Sequence, residues 1–415
     1  MYKESIDTYA AISLLVTSMM GTGITFMPYA FNSMGYYGSW SILIFVGIGT
    51  FFSLLCISYV VKKKGDKYST YTSLAEDVST REYYFVSLSI FFNCYFSNIA
   101  FYRFLTDILI DSSSILRNIS SNPETSRKIV ALLLFPFLLY MSLKKELVNL
   151  KFTSLLATAS VTLLSLLVIF YSITLGSKVY DSDTQAFNTN FKYGVPFFIP
   201  CMVCQPSMVE VVQKLENKSW RNIFLVSFAA SLSGFLIYGL VGHCGYIIFG
   251  RSIEGHILKE FTNSDSKLNV YIQKNTLYIL NILPRLAVYS MICLLGFGFP
   301  VQMVPVTDMF MQFIYKENIN DIRKSVMTTI LFCVCFCLVL VENLRIKFIK
   351  RVSGAIFSTS VGLIHPFIYY LNSVEPRKIT SMVPSTICGI TGCVIFYIIC
   401  TLILDLFRGD PELFN

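Results

Sequence analysis

The residues with the most chemical potential in this 415-residue chain sit where charge and irregular backbone are least expected, inside long apolar runs. Met19-Met20-Gly21-Thr22-Gly23-Ile24-Thr25-Phe26-Met27-Pro28 carries two glycines one residue apart, followed by a proline. Backbone that leaves helical geometry in hydrocarbon must satisfy its amides and carbonyls within the protein or from a cavity. Such a break is therefore a site where main-chain groups can hold a small polar ligand. A second interruption, Pro200-Cys201-Met202-Val203-Cys204-Gln205-Pro206, places two prolines and a side-chain amide in another apolar run; each proline removes an amide donor and clashes with the preceding turn. The half-helices at such breaks present partial positive charge at their N-termini and partial negative charge at their C-termini. A zwitterion fits between them.

Composition requires the membrane that this reading assumes. Apolar residues make up 54% of the chain and charged residues 14%, with a mean hydropathy of +0.61, against about 25% charged residues in an ordinary soluble domain. Runs near the roughly 20 residues that a bilayer demands predict eleven spans. They cover Thr8–Asn32, Tyr37–Val61, Tyr83–Ile110, Ile129–Leu143, Phe152–Gly176, Tyr193–Leu215, Ile223–Gly250, Leu283–Phe313, Ser325–Val341, Val352–Leu371 and Ser381–Phe407. The polar gaps between them read as loops, so residues 1–415 form one transmembrane domain. No cleavage site follows the first run, which is expected to stay in the mature protein. The interrupted spans are the first and the sixth, five apart, the relation expected of two inverted five-helix repeats at about 8–176 and 193–371, with an extra helix at about 381–407.

Orientation follows from the loop cations. Lys62, Lys63, Lys64, Lys67 and Arg81, then Lys144, Lys145 and Lys151, favour a cytosolic N-terminus and an extracytosolic C-terminus. An opposing cluster, Arg345, Lys347, Lys350 and Arg351, is assigned outside. The net charge of +8 is spread over these loops, where anionic headgroups rather than nucleic acid are the natural partners. All twelve cysteines fall within predicted spans, and Cys201 and Cys204 with C-x-x-C spacing read as packing residues rather than a metal or redox pair. No cofactor, metal or obligate protein partner is expected, and three scattered histidines give no enzyme constellation.

Four stretches in register resemble one family. Gly21-Thr22-Gly23-Ile24-Thr25-Phe26-Met27-Pro28-Tyr29-Ala30-Phe31 resembles the G-x-G-I-L-x-L-P-x-A-F signature of the amino acid/auxin permease family, part of the amino acid–polyamine–organocation superfamily. Gly245-Tyr246-Ile247-Ile248-Phe249-Gly250, Phe299-Pro300-Val301-Gln302-Met303-Val304-Pro305-Val306 and Gly354-Ala355 through Pro366 resemble its patterns in helices seven, eight and ten. The resemblance implies an all-α polytopic membrane protein with a LeuT-like 5+5 inverted repeat, about eleven helices, helices one and six broken, and alternating access to an amino acid site. It implies that a substrate carboxylate meets the amides of Gly21, Thr22 and Gly23, and that an amino group meets carbonyls near Met20, Val203 and Cys204, with Gln205 beside them. Asn93, Ser97 and Asn98 on helix three are candidates by position and polarity. Sodium-coupled members carry an amide or hydroxyl where Thr17 stands, and a hydroxyl on helix eight where Gly296-Phe297-Gly298-Phe299 has none. H+ is therefore favoured over Na+, or no coupling ion at all. Neutral amino acids are the default substrate, cationic ones the alternative, and a sensor without net transport the competing function. Plasma membrane and vacuolar or lysosomal membrane both suit the chain.

Titratable groups inside spans are costly and seldom idle. Glu210 follows the second break and either selects cations, carries a proton or pairs with Lys214 four residues on. Arg103 and Asp107, also four apart, are read as an ion pair near the outer gate. His243 and His365 are candidate proton switches or hydrogen-bonded core imidazoles. Asn118-Ile119-Ser120 is a glycosylation sequon expected outside, and Asn217-Lys218-Ser219 one expected to stay bare in the cytosol.

Overall fold

A computed structural model describes residues 5–65, 70–143, 150–175, 184–188, 190–253, 255–262, 267–274, 278–315, 320–341 and 346–374, together with single positions between 386 and 401. Among these the chain is helical, and the only β contact is one bridge between Ile6 and Leu215. The helices are α1 (Thr8–Met19), α2 (Met27–Met34), α3 (Tyr36–Lys64), α4 (Tyr71–Val78), α5 (Thr80–Ser112), α6 (Ser114–Arg117), α7 (Pro123–Leu143), α8 (Leu150–Thr174), α9 (Phe191–Cys201), α10 (Gln205–Lys214), α11 (Trp220–Phe249), α12 (Leu258–Thr262), α13 (Lys267–Lys274), α14 (Tyr278–Tyr315), α15 (Asp321–Val339), α16 (Ile346–Val352) and α17 (His365–Ser373). Among the described residues eight helical stretches are long and apolar enough to cross a bilayer, nine when the bent pair Thr8–Met19 and Thr22–Met34 is one span. The expected eleventh span lies almost wholly outside the described residues.

The surface explains why water is the wrong solvent. Along α11, Phe224, Leu225, Phe228, Leu232, Leu236 and Leu240 are each at least 40% exposed, at the three- and four-residue spacing of one helix face. An apolar stripe of that length is stable only against lipid or a partner. The buried faces meanwhile knit the bundle together: α14 packs along α5, α11 against α2 and α3, and α1 against α11 and α10.

Both expected breaks are present, and each has a local cause. α1 ends at Met19; Met20 and Gly21 are extended, a 3-10 turn runs over Thr22–Phe26, and α2 departs at 53° with Pro28 in its first turn. α9 ends at Cys201 after Pro200, and α10 restarts at Gln205 with Pro206 in its first turn. Proline at a helix start has no amide to leave unpaired, so Pro28 and Pro206 open the second half of each span at little cost.

Several boundaries differ from expectation. α7 begins at Pro123, six residues before the predicted start, because the polar Ser126 and the Arg127 pair are accommodated on the buried side of its first turns. Three loops contain helices: α4, closed by a Thr70–Ser73 capping box, the short α6, and the α12–α13 segment. The largest correction concerns the tenth span. It starts at Ile346 rather than Val352, and the cations assigned to an outer loop, Lys350 and Arg351, lie inside the bundle; Arg351 is 1% exposed. Its Nη2 donates to the Tyr29 hydroxyl at 2.7 Å and its guanidinium lies 4.4 Å from the Tyr193 ring centroid. Hydrogen bonding and cation–π contact replace the water that a loop would supply. Downstream, the helix is wound as π-helix over Ser353–Ser358 and Ser360–Ile364, a form that concentrates at functional positions.

Candidate functional site

The two breaks and the π-helical segment meet around one cavity of about 470 Å³. Thr17, Met20, Gly21, Thr22 and Gly23 line it from the first span, Val203, Ser207 and Glu210 from the sixth, Asn93 and Ser97 from α5, and Lys350, Ser353 and Ser358 from the tenth. The α14 wall consists of Leu294, Gly298, Val301 and Gln302.

At the first break the backbone is bridged by a side chain. The Tyr238 hydroxyl on α11 donates to the Met19 carbonyl at 2.7 Å and stands beside the Gly21 amide. Thr22 opens the 3-10 turn, where the first amides have no intrahelical acceptor. Its residue lines the cavity, and its buried hydroxyl makes no hydrogen bond among the described residues. The two glycines differ in kind. Gly21 has extended backbone, and a Cβ there would meet nothing within 4 Å. A Cβ on Gly23 would collide with the Cys201 Sγ. Gly23 thus permits close approach of the two broken spans, while Gly21 leaves space open.

The second break is closed from within. The Gln205 side chain is fully buried; its Oε1 accepts from the Cys204 amide at 2.9 Å and its Nε2 donates to Ser53 Oγ on α3 at 2.8 Å. Neither Cys204 nor Gln205 lines the cavity, and the Gln205 amide is spent satisfying the break itself. Val203 does line it. Asn93 also lines it, and its Oδ1 accepts from both Ser353 Oγ at 2.9 Å and Ser358 Oγ at 2.8 Å. Asn98, by contrast, is fully buried away from the cavity with its Nδ2 near the Met303 sulfur.

The titratable candidates separate clearly. Glu210 lines the cavity at its mouth and accepts a 2.6 Å bond from Lys214, so its charge is already matched. Thr17 shares a 3.1 Å hydroxyl–hydroxyl bond with Thr158 on α8. His243 is off the cavity, packed against Tyr36 and Trp40. His365 is fully buried, also off the cavity, and joins Glu82 of α5 at 2.6 Å and Ser360 at 2.8 Å. The Arg103–Asp107 pair is not formed. Arg103 Nη1 donates to the carbonyls of Val339 and Val341 at 2.6 and 3.3 Å, while Asp107 accepts from Arg127 Nε at 2.7 Å. Arg127 reaches Asp107 from α7, and the uncapped carbonyls at the end of α15 claim Arg103. Asn118 is exposed in the turn after α6.

Aromatic rings pack beside the cavity beyond the first break, and two of its lining residues are exposed. Phe26 stacks on Phe197 with centroids 5.5 Å apart, and His256 sits edge-on against Phe104 at 4.4 Å. The strap holding His256 is tied to the break by the Ile257 amide, which donates to the Thr25 carbonyl at 2.9 Å. The exposed lining residues are Leu14 and Glu210. Sequence reasoning missed Tyr238, His256, Lys350 and the two π-helical serines. Only Lys350 left a trace, as a cation within three residues of a predicted span, where long side chains regularly reach back along the helix.

A family model described as transmembrane amino acid transporter protein matches residues 4–404. Vacuolar amino acid transporter 6 of Saccharomyces cerevisiae is 21% identical over 257 residues, 60% of this chain and 57% of that protein. Vacuolar amino acid transporter 5 of the same yeast is 25% identical over 281 residues, 62% and 60% of the two chains. Sodium-coupled neutral amino acid transporter 4 of Homo sapiens is 26% identical over 205 residues, 48% and 35%. The aligned part of this chain spans less than two thirds of each of these relatives.

Proposed function

The chain belongs to the transmembrane amino acid transporter protein family, and from that premise we propose that it carries α-amino acids across a membrane by alternating access around spans one and six. It is a multi-pass membrane protein of a transporter family, not of an enzyme family. One observation carries the reading: the Met20–Gly23 break faces a cavity of about 470 Å³ with a buried Thr22 hydroxyl that has no partner among the described residues. Free amides at a 3-10 N-terminus suit a carboxylate. The carbonyls that end α1 and α9 suit an ammonium group. In this proposal the two five-helix repeats are inverted copies, the N-terminus is cytosolic, and the cavity, open past Leu14 and Glu210, is caught facing the cytosol beneath its aromatic lid. The membrane is that of the cell surface or of a vacuole-like compartment.

Proton coupling fits the site better than sodium coupling. The α14 wall opposite Thr17 offers no hydroxyl, and Thr17 is engaged with Thr158. A buried imidazole bonded to a carboxylate is available instead in His365 and Glu82, with the phenols of Tyr71 and Tyr369 close to that carboxylate. Uptake of labelled amino acids into proteoliposomes tests both parts of the proposal. Uptake driven by an imposed pH gradient is expected, and Glu82→Gln should reduce concentrative uptake at least ~10-fold while sparing exchange, because the amide cannot take up and release a proton as the carboxylate can. Accumulation driven by sodium alone would refute the proton. Saturable binding without uptake would replace the transporter by a sensor.

Glycosylation reads the orientation separately. Expressed in eukaryotic cells, the chain is expected to lose one glycan's worth of gel mobility shift on Asn118→Gln and to be unchanged by Asn217→Gln. The reverse pattern would invert the topology.

A further inference from the structure

The cavity carries a cation that has no counter-charge among the described residues. Lys350 lines the cavity on α16, its Nζ 5.4 Å from the Phe101 ring centroid, and it forms no ion pair among the described residues. Among the described residues lining the cavity the one carboxylate is Glu210, and it is matched by Lys214. Asn93 adds to the same polarity. With its Oδ1 occupied by Ser353 and Ser358, it has only its Nδ2 donors left to offer the cavity. A charge held in low dielectric without a partner is costly, and a ring face repays only a small part of that cost. An anionic group that enters the cavity would supply the partner that Lys350 lacks among the described residues.

The geometry points to a second anion subsite at Lys350, which takes the side-chain carboxylate of an acidic amino acid whose α-carboxylate lies at the Gly21–Gly23 break. This rests on the amino acid reading of the cavity and replaces the neutral or cationic side-chain preference with an anionic one. Apolar rings of Phe26, Phe101 and Phe197 line the same cavity and suit the methylene groups of such a side chain. Cys201, which touches Gly23, and Lys350 line the same cavity, so both subsites open onto one space.

The test is uptake of labelled glutamate and glutamine into proteoliposomes containing wild type, Lys350→Gln or Lys350→Arg, in chloride and in gluconate. Wild type is expected to prefer glutamate. Lys350→Gln should raise the glutamate KM at least ~30-fold, as for loss of one partner of a buried charge pair, and leave that of glutamine within about twofold, while Lys350→Arg retains most of the preference. Retained glutamine uptake establishes that the Gln variant is folded; if it is not, Lys350→Met is used in the same comparison. An unchanged glutamate-to-glutamine ratio overturns the subsite alone. Equal losses for both substrates that depend on chloride would assign Lys350 to a co-transported anion and also overturn it. Wild-type protein that takes up neither substrate nor any other amino acid removes the parent reading instead.

Discussion

Gly21→Val is expected to fold as the wild type does and to lose amino acid binding by at least ~100-fold. The backbone at Gly21 is extended, with φ −163°, a conformation that any residue adopts, and the space beside it is empty. The valine methyl groups would occupy the cavity where a carboxylate approaches the break. Two charge-assisted hydrogen bonds lost from that carboxylate, at ~1.5–3 kcal/mol each, give this magnitude. Gly23→Val is the informative contrast. There the new Cβ overlaps the Cys201 Sγ, so the two broken spans must separate, at an overpacking cost of ~1–3 kcal/mol or more. Thermal midpoint in detergent should fall for Gly23→Val and hold for Gly21→Val, while binding, read by scintillation proximity, falls for both. Cys201→Ala should partly restore Gly23→Ala and do nothing for Gly21→Val. Unaltered binding by a folded Gly21→Val protein would remove the first break from the substrate site.

The second large effect belongs to the polar cluster where α5 meets α7. Asp107→Leu is expected to destabilise the protein by ~2–4 kcal/mol, because it leaves Arg127 partly buried with Glu124 alone and Arg103 nearby. Replacing both partners by apolar groups of similar volume often costs little. Asp107→Leu with Arg127→Leu should therefore recover most of the loss, and the coupling in a double-mutant cycle should exceed ~1 kcal/mol. Asp107→Leu with Arg103→Leu should recover none of it, because Arg103 is engaged by the Val339 and Val341 carbonyls. Rescue by the Arg103 substitution would reinstate the four-residue pair that spacing along α5 suggests.

That cluster shows the limit of reading along a helix. Spacing places Arg103 and Asp107 on one face of α5, but it does not reveal which neighbouring element brings a nearer partner. Glu210 and Lys214 share the same spacing and do pair, with both side chains exposed. Gln205 was chemically conspicuous in mid-membrane, and its use was internal: the break created an orphan amide at Cys204, and the nearest amide side chain satisfied it. His243 and His365 were equally visible as membrane histidines. Only packing separated one held by Tyr36 and Trp40 from one bonded to Glu82, nearly three hundred residues away in the chain.

What the residues alone determined were the properties that depend on local chemistry and the solvent: a polytopic helical protein, because apolar runs of bilayer length have no other stable home; two weakened spans, because glycine lowers helix stability and proline removes an amide from the hydrogen-bond ladder; and the family, because four of its motifs stand in register along the chain. What only the tertiary structure decided was which polar groups are spent on one another and which are left for a ligand. Lys350 is the clearest case. In the chain it is one of four cations beside a span; in the fold, six residues of extra helix carry it inward, to a cavity wall where it forms no ion pair among the described residues. The energy of a buried charge depends on what stands a few ångströms away, and that is fixed by helix packing rather than by sequence neighbours.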